Sequence, residues 1–423
     1  MSSTKLYFLA LLLFISSVAR AQDSLQVQAR GPVLSLDSVL MLIDQNNPML
    51  LENQYRALAQ NAMAEGARSQ MAPMVGGGVF MYPYPGQKVM DPGDKGMFMV
   101  SAEQQITNPA KLKAREAYQL SRAGMEEAGR DYQYNQLRAQ AKTAYYQWVV
   151  LERKMQVLRE SQRIMEFMLK LAKVRYPYNQ SSLGSIYKVE GRIGEIENML
   201  VMTKGEMAMK NIQLNTLMNL PPDFKFAVVP LVKVPEPIAV IDTVDLSASR
   251  SDIRRLDRSI ESMQLNLRLE NLQRKPDFGV RLEGMVPRAD MMPRMFSLMG
   301  MVSIPIAPWA SKMYKANAKA IDLEIQGMQR GREGLLNEAV GMVRSMAVEL
   351  QAKRTQVQNY ETKIIPALRR NYETTLLSYE QNTGALPLVV DAWEAWNMAQ
   401  MEYLNNLQQL YLIVVNYEKE LEK

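Results

Sequence analysis

Few residues in this chain are reactive in their own right. It has no His and no Cys. That removes the Ser-His-Asp triad, the HExxH zinc helix, imidazole acid–base catalysis, thiolate metal sites and disulfides. The notable chemistry is thioether sulfur, with 32 Met against 19 Tyr and 9 Phe. A thioether is a soft ligand suited to Cu(I) and, by the same logic, to Ag(I). Met81, Met97, Met99, Met285, Met299 and Met301 fall on one face of short stretches of period two, together with Glu103, Arg281 and Glu283, and six Met lie within residues 285–301. The competing reading is packing: Met is common throughout, and Met155, Met165 and Met168 in helical stretches suit core filling. The Arg250, Arg254, Arg255, Arg258 group reads as a phosphate site or, better, as a solvated helix face balanced by Asp252 and Asp257. There is no P-loop, Rossmann glycine pattern or nucleophile elbow. No catalytic residue and no cofactor is expected.

The chain has 423 residues with 50 Lys+Arg and 44 Asp+Glu, a formal +6. Residues 1–21 carry a basic start at Lys5, an apolar run from Leu6 to Val18 and Ala19-Arg20-Ala21 before Gln22, the three-part pattern of a cleaved signal peptide. Its loss would lower the charge to +4, too mild for a nucleic-acid partner. The apolar run is too short to span about 30 Å of hydrocarbon. No later segment reads as a membrane helix, so any insertion must use strands.

The mature sequence reads as two copies of one plan. Matched landmarks are separated by 203 residues (Pro73, Pro276), 199 (Pro109, Pro308) and 200 (Gly184, Gly384). Leu137, Ala141, Ala144, Trp148, Leu151, Met155, Leu158, Met165, Leu169 and Ala172 follow alternating 4 and 3 spacing, with Gln162 as an interruption. That 3.5-residue period imposes coiled-coil packing. Leu336, Val340, Val343, Ala347, Leu350, Val357, Ile364 and Leu368 repeat it, broken at Arg354 and Glu361. Pro109 to Pro177 predicts a helix of roughly 100 Å, and Pro366 should kink its counterpart. The resulting division is a first repeat at 22–225 with a helical hairpin at 109–220, a linker at 226–244, and a second repeat at 245–423 with a hairpin at 308–423.

Each repeat also holds two stretches of period two, at about 75–84 and 96–106, then 278–286 and 296–304. Phe98, Val100, Ala102 and Ile106 share one face; Met97, Met99, Ser101, Glu103 and Gln105 share the other. Phe278, Val280, Leu282 and Val286 oppose Arg281, Glu283 and Met285 in the same way. Apolar outside and polar inside is the pattern of a membrane barrel strand. Four strands cannot close, and open edges are not tolerated in lipid. Three copies would supply 12 strands.

The signal peptide, the duplication, two strands per half and very long paired helices together resemble the TolC-like outer-membrane efflux family. Local sequence agrees: Leu34-Ser-Leu-Asp-Ser-Val-Leu with Asn46-Asn47-Pro48, Asn211 to Leu220-Pro-Pro-Asp (Asn219 standing where Gly is usual), Ser303-Ile-Pro-Ile-Ala-Pro308-Trp, and Ile365-Pro366 through Ser378-Tyr379 and Gly384 to Asp391-Ala-Trp-Glu-Ala395. The resemblance implies a mainly α fold with a small membrane β part: a homotrimer with an α-helical barrel in the periplasm and a 12-stranded β-barrel in the bacterial outer membrane. It implies a passive conduit in outer-membrane lipid, docked by a periplasmic adaptor protein and an inner-membrane pump of the RND type. Acidic residues beyond the helical tips gate the family's aperture, which places Glu190, and with a one-residue longer second turn Asp391 and Glu394, in that role; Ile193 stands where a second acid of the first turn is expected. The transported class stays open between Cu(I)/Ag(I) and drugs, dyes or secreted substrates. The alternative function is a periplasmic coiled-coil scaffold that never inserts.

Overall fold

A computed structural model describes residues 32–229, 243–289 and 292–422. The expected signal peptide, most of the linker and Met291 lie outside these residues.

The chain enters through β1 (Val33–Leu34) and two helices, α1 (Leu36–Asn46) and α2 (Pro48–Gly66). Asn47 makes the break between them. Its side-chain oxygen accepts from Met49 N at 3.0 Å, capping α2, while its amide donates to Leu217 O at 2.8 Å. Strands β2 (Met74–Phe80) and β3 (Met97–Ile106) follow, then α3 (Pro109–Arg175) and α4 (Leu183–Met218). Pro109 at the first helical turn and the Asn108 side chain, which accepts from Ala110 N at 3.0 Å, start α3. At 67 residues α3 is roughly 100 Å long. Strand β4 (Ala227–Val228) pairs parallel with β1.

The second half repeats the order. Helices α5 (Thr243–Ser249) and α6 (Ser251–Asn271) precede β5 (Asp277–Pro287) and β6 (Met295–Ser303). Then come α7 (Pro308–Asn359), a π-helical turn at Tyr360–Ile364, α8 (Ile365–Glu380) and α9 (Leu386–Leu421). Pro366 has no N–H for the preceding turn, and the helix widens into the π segment just before it. Ile364, expected in the second seam, is 37% exposed there, because the wider turn rotates it out of register. Left-handed Asn179 and Asn382 end the outgoing arms of the two hairpins, 203 residues apart, with φ 57° and 61°. The helix N-caps Ser182 and Ala385 keep that offset. Gly184 and Gly384 are therefore not equivalent. Gly184 sits inside the first turn of α4, whereas Gly384 precedes α9.

Two cores hold the hairpins. Near the middle of the molecule, Tyr145, Tyr146, Trp148, Leu214, Phe226 and Tyr411 pack with α1 and α2. Tyr146 stacks on Tyr411 at 4.7 Å between ring centroids. The Tyr145 hydroxyl donates to Leu34 O at 3.1 Å and accepts from Val229 N at 3.0 Å, fastening the β1–β4 pair to α3. Toward the hairpin ends, Met165, Met168, Ile186, Val189, Tyr379 and Trp393 form the second core. The first-half seam is buried at Leu137, Ala141, Ala144, Trp148, Leu151, Met155, Leu158, Met165 and Ala172, the 3.5-residue stripe expected of knobs-into-holes packing.

Candidate functional site

Strands β2, β3, β5 and β6 form one antiparallel sheet in that order, so β2 and β6 are its edges. Residues paired across strands share a face, which sorts the sheet into rows. One face carries Val79, Phe98 and Val286; then Val100 and Phe296 with Gly77 and Gly284; then Val75, Ala102, Leu282 and Leu298; then Gln104, Val280 and Gly300; and lastly Ile106, Phe278 and Val302. These apolar side chains are exposed: Phe98 is 53%, Leu298 68% and Phe296 80% exposed. Apart from Gln104, the polar and sulfur side chains of the sheet lie on the other face. A water-soluble sheet puts its apolar face inward, so this arrangement is inverted in the sense a lipid-facing wall requires. Ten residues of β3, tilted about 45°, would span roughly 24 Å, close to the apolar band of a membrane barrel.

The inner face is now readable row by row. Nearest the β2–β3 and β5–β6 loops lie Phe80, Met97 and Pro287. The next row is Gly78, Met99, Met285 and Met295, followed by Gly76, Ser101, Glu283 and Ser297. Beyond these come Met74, Glu103, Arg281 and Met299, then Gln105, Gly279 and Met301. Arg281 binds Glu103 through Nε at 2.9 Å and lies 3.7 Å from Glu283. The expected inner residues Met97, Met99, Glu103, Arg281, Glu283, Met285, Met299 and Met301 thus share one face. Met81 does not. Strand β2 stops at Phe80 rather than at residue 84, and Met81 has φ 47°. Pro83 and Pro85 cannot donate to a ladder, and the chain turns back there against Gly96. A Cβ on Gly96 would stand 2.9 Å from Met81 O. Met74 and Met295 share this face but are invisible without the cross-strand register.

At the far end of the hairpins the acidic residues are all paired. Glu190 on α4 meets Lys173 of α3 at 2.8 Å. Asp391 and Glu394 on α9 reach across to α4: Lys188 Nζ lies 2.6 Å from Asp391 Oδ1, and Arg192 Nε 2.6 Å from Glu394 Oε1. Arg192 also holds Glu195, and these hydrogen bonds, Glu195 first and Glu394 second, raise its pKa above the usual guanidinium value. The two turns are tied as well. Arg175 donates to Tyr379 O at 2.6 Å and to Glu380 O at 2.8 Å, with its guanidinium 4.6 Å from the centre of the Tyr379 ring. The acids therefore do not form a bare cluster within a protomer: Glu190 is bonded within the first hairpin, and Asp391 and Glu394 are bonded across to it. Nothing in the sequence period marked Lys173, Lys188, Arg175 or Arg192 as the partners.

Of the arginine group at the start of α6, Arg250, Arg254 and Arg258 are paired with carboxylates. Arg250 is buried and donates to both Asp252 oxygens and to Glu420. Burial opposes its charge, yet those hydrogen bonds hold its pKa above the normal range. Arg254 faces Asp131, Arg255 lies over the Tyr132 ring at 4.9 Å, and Arg258 pairs with Glu261. The group is a structural joint, not a phosphate site. Among the described residues no helix is long and apolar enough to cross a membrane.

The whole architecture matches solved structures. The chain superposes on CusC, solved for its folding and transmembrane channel formation, with a TM-score of 0.76 over 91% of each chain at 13% identity. It matches the outer-membrane channel OprN with a TM-score of 0.75, covering 91% of this chain and 89% of that one at 12% identity. The outer membrane protein VceC of Vibrio cholerae gives 0.71, covering 91% and 95% at 14% identity. The fold is that of the TolC-like channels. No family model and no curated protein matches the sequence, so this likeness rests on shape.

Proposed function

We propose that this chain is the outer-membrane channel-tunnel subunit of a tripartite efflux system: a passive trimeric conduit, with its helical barrel in the periplasm, docked by an adaptor protein and an inner-membrane pump of the RND type. The observation that carries this reading is the inverted sheet, whose exposed apolar face and two open edges, β2 and β6, are stable in lipid only when the edges are paired. Three copies joined β6 to β2 make 12 strands, an even number typical of outer-membrane barrels. A periplasmic scaffold would have no use for that face. The experiment is outer-membrane fractionation with cross-linking. The chain has no Cys, so cysteines introduced on β2 and β6 are its only thiols. A cross-linked trimer in the outer-membrane fraction is expected; a water-soluble monomer would sink the proposal.

For the transported class, the sulfur-bearing inner face favours the soft cations Cu(I) and Ag(I) over organic substrates. Weak sites in series suit passage better than one tight site. Replacing Met97, Met99, Met299 and Met301 with Leu in a strain dependent on this gene should lower copper and silver tolerance. Unchanged tolerance with normal assembly would return the assignment to organic cargo.

A further inference from the structure

We propose that Met99, Met285 and Met295 form a three-thioether binding site for one soft monovalent cation, Cu(I) or Ag(I), within each protomer. Met285 has Met99 as its cross-strand partner on one side and Met295 on the other. All three side chains leave the same face of the sheet, from Cα positions about 4.5–5.5 Å apart between neighbours. Each thioether turns on three rotatable bonds, so three sulfurs can converge on a point above Met285. Gly78, the fourth member of the row, has no side chain to block that point.

The surroundings suit a soft cation. The row toward the loops is apolar, with Phe80, Met97 and Pro287. The row on the other side places Glu283 two residues from Met285 on the same face, between Ser101 and Ser297. Its carboxylate supplies countercharge without being a ligand: Arg281 is hydrogen-bonded to Glu103 and makes only a longer ion pair, at 3.7 Å, with Glu283. Among the described residues no group of three or more carboxylates offers a hard-metal site, which weakens competition from Zn(II) or Mg(II). Met299 and Met301 lie on the same face farther from the loops, so an ion moving from the helical end meets single thioethers before the triple row.

The inference deepens the conduit reading by naming what the barrel wall holds, yet the site lies within one protomer and is testable apart from it. Purified full-length protein in detergent would be equilibrated by dialysis against silver nitrate or against Cu(I) under reductant, and the metal retained at equilibrium measured by mass spectrometry. About one ion per protomer is expected. It should be lost, or its affinity lowered at least tenfold, in M99L/M285L/M295L, where Leu conserves volume, and retained in M299L/M301L. Parent protein that retains no metal, or a triple variant that retains as much as the parent, overturns the site. Cross-linking the same samples separates the two ideas: metal lost with the trimer intact supports the site, while metal retained by a monomer supports the site and removes the conduit.

Discussion

Arg192 of the first hairpin and Glu394 of the second are joined at 2.6 Å, guanidinium to carboxylate, near the ends of helices that start in different halves of the chain. Lys188 and Asp391 repeat the link one turn nearer the tip. The side chains are partly exposed, 34% and 24% for the first pair, so each bond is worth only about 0.5 kcal/mol. In the proposed trimer, symmetry multiplies it. Two such pairs in each of three protomers would bias a closed tip by roughly 3 kcal/mol, a shift of about a hundredfold in population. R192A/K188A should therefore raise single-channel conductance in planar bilayers, and the exchange R192E/E394R should restore the parent value. Equal conductance in the parent and the double alanine variant would show that these bonds do not hold the tip.

Arg250 should be the costliest of the four arginines grouped near the start of α6. Its guanidinium joins Asp252 to Glu420 at the C-terminal end of α9, and all three side chains are at least four-fifths buried. Arg250→Ala leaves two carboxylates uncompensated, at a cost of about 3 kcal/mol. Arg258→Ala, on an exposed pair, should change stability by less than about 0.5 kcal/mol. Thermal denaturation of the two variants side by side checks the contrast.

Much of the fold was legible because long elements repeat their signal. The 3.5-residue stripe from Leu137 to Ala172 and the alternation of Phe98, Val100 and Ala102 each report one face many times over. Both the helical seam and the inverted strands follow from them. What was not legible depends on pairing. Met74 and Met295 join the inner face only through the register with Glu103 and Met285. The cations facing Glu190, Asp391 and Glu394 sit on other helices at spacings no local pattern encodes. Met81 was misplaced for two reasons: the cross-strand register puts the odd-numbered phase it shares with Val75 and Val79 on the apolar face, and the prolines beyond Phe80 end the ladder before it.

Gly184 and Gly384 provide a direct check on the 203-residue equivalence. A Cβ on Gly384 would meet Ser378 Cβ at 3.3 Å and Tyr379 N at 3.4 Å, and these are not flexible chain ends. At Gly184 the nearest atom is the Ser182 hydroxyl, 4.0 Å away, and the residue is helical. Gly384→Ala should lower the melting temperature, whereas Gly184→Ala should hold or raise stability by up to about 1 kcal/mol. Identical losses at both positions would contradict the offset.

Glu422 gives a pH signature. Its carboxylate accepts from Ser251 N and Oγ at the end of α9. Burial nonetheless raises its pKa above the ordinary 4.5, the Ser251 hydrogen bonds opposing the shift without cancelling it. The folded chain then holds this proton more tightly than the unfolded chain. Its contribution is fully present below the unfolded value and is lost as pH rises through the folded one. The stability of the parent relative to Glu422→Gln should accordingly fall as pH is raised from about 4.5 upward. A difference independent of pH would mean that the group titrates alike in both states.

The inner wall of the barrel should prefer cations, and the preference should depend on salt. Glu103, Arg281 and Glu283 share that face, leaving one net negative charge per protomer and three around a trimeric ring. Arg281 bonds Glu103 and stands farther from Glu283, so Glu283 is the charge least compensated. In a potassium chloride gradient the parent channel should show a cation-selective reversal potential. Glu283→Gln should move it toward zero, and Arg281→Gln should move it the other way, since the ring then gains negative charge. Both shifts should shrink at high salt, because the screening length falls from about 10 Å at 0.1 M to about 3 Å at 1 M. A reversal potential identical in all three proteins at low salt would mean that selectivity is set elsewhere along the path, the paired acids of the hairpin tips being the next place to look.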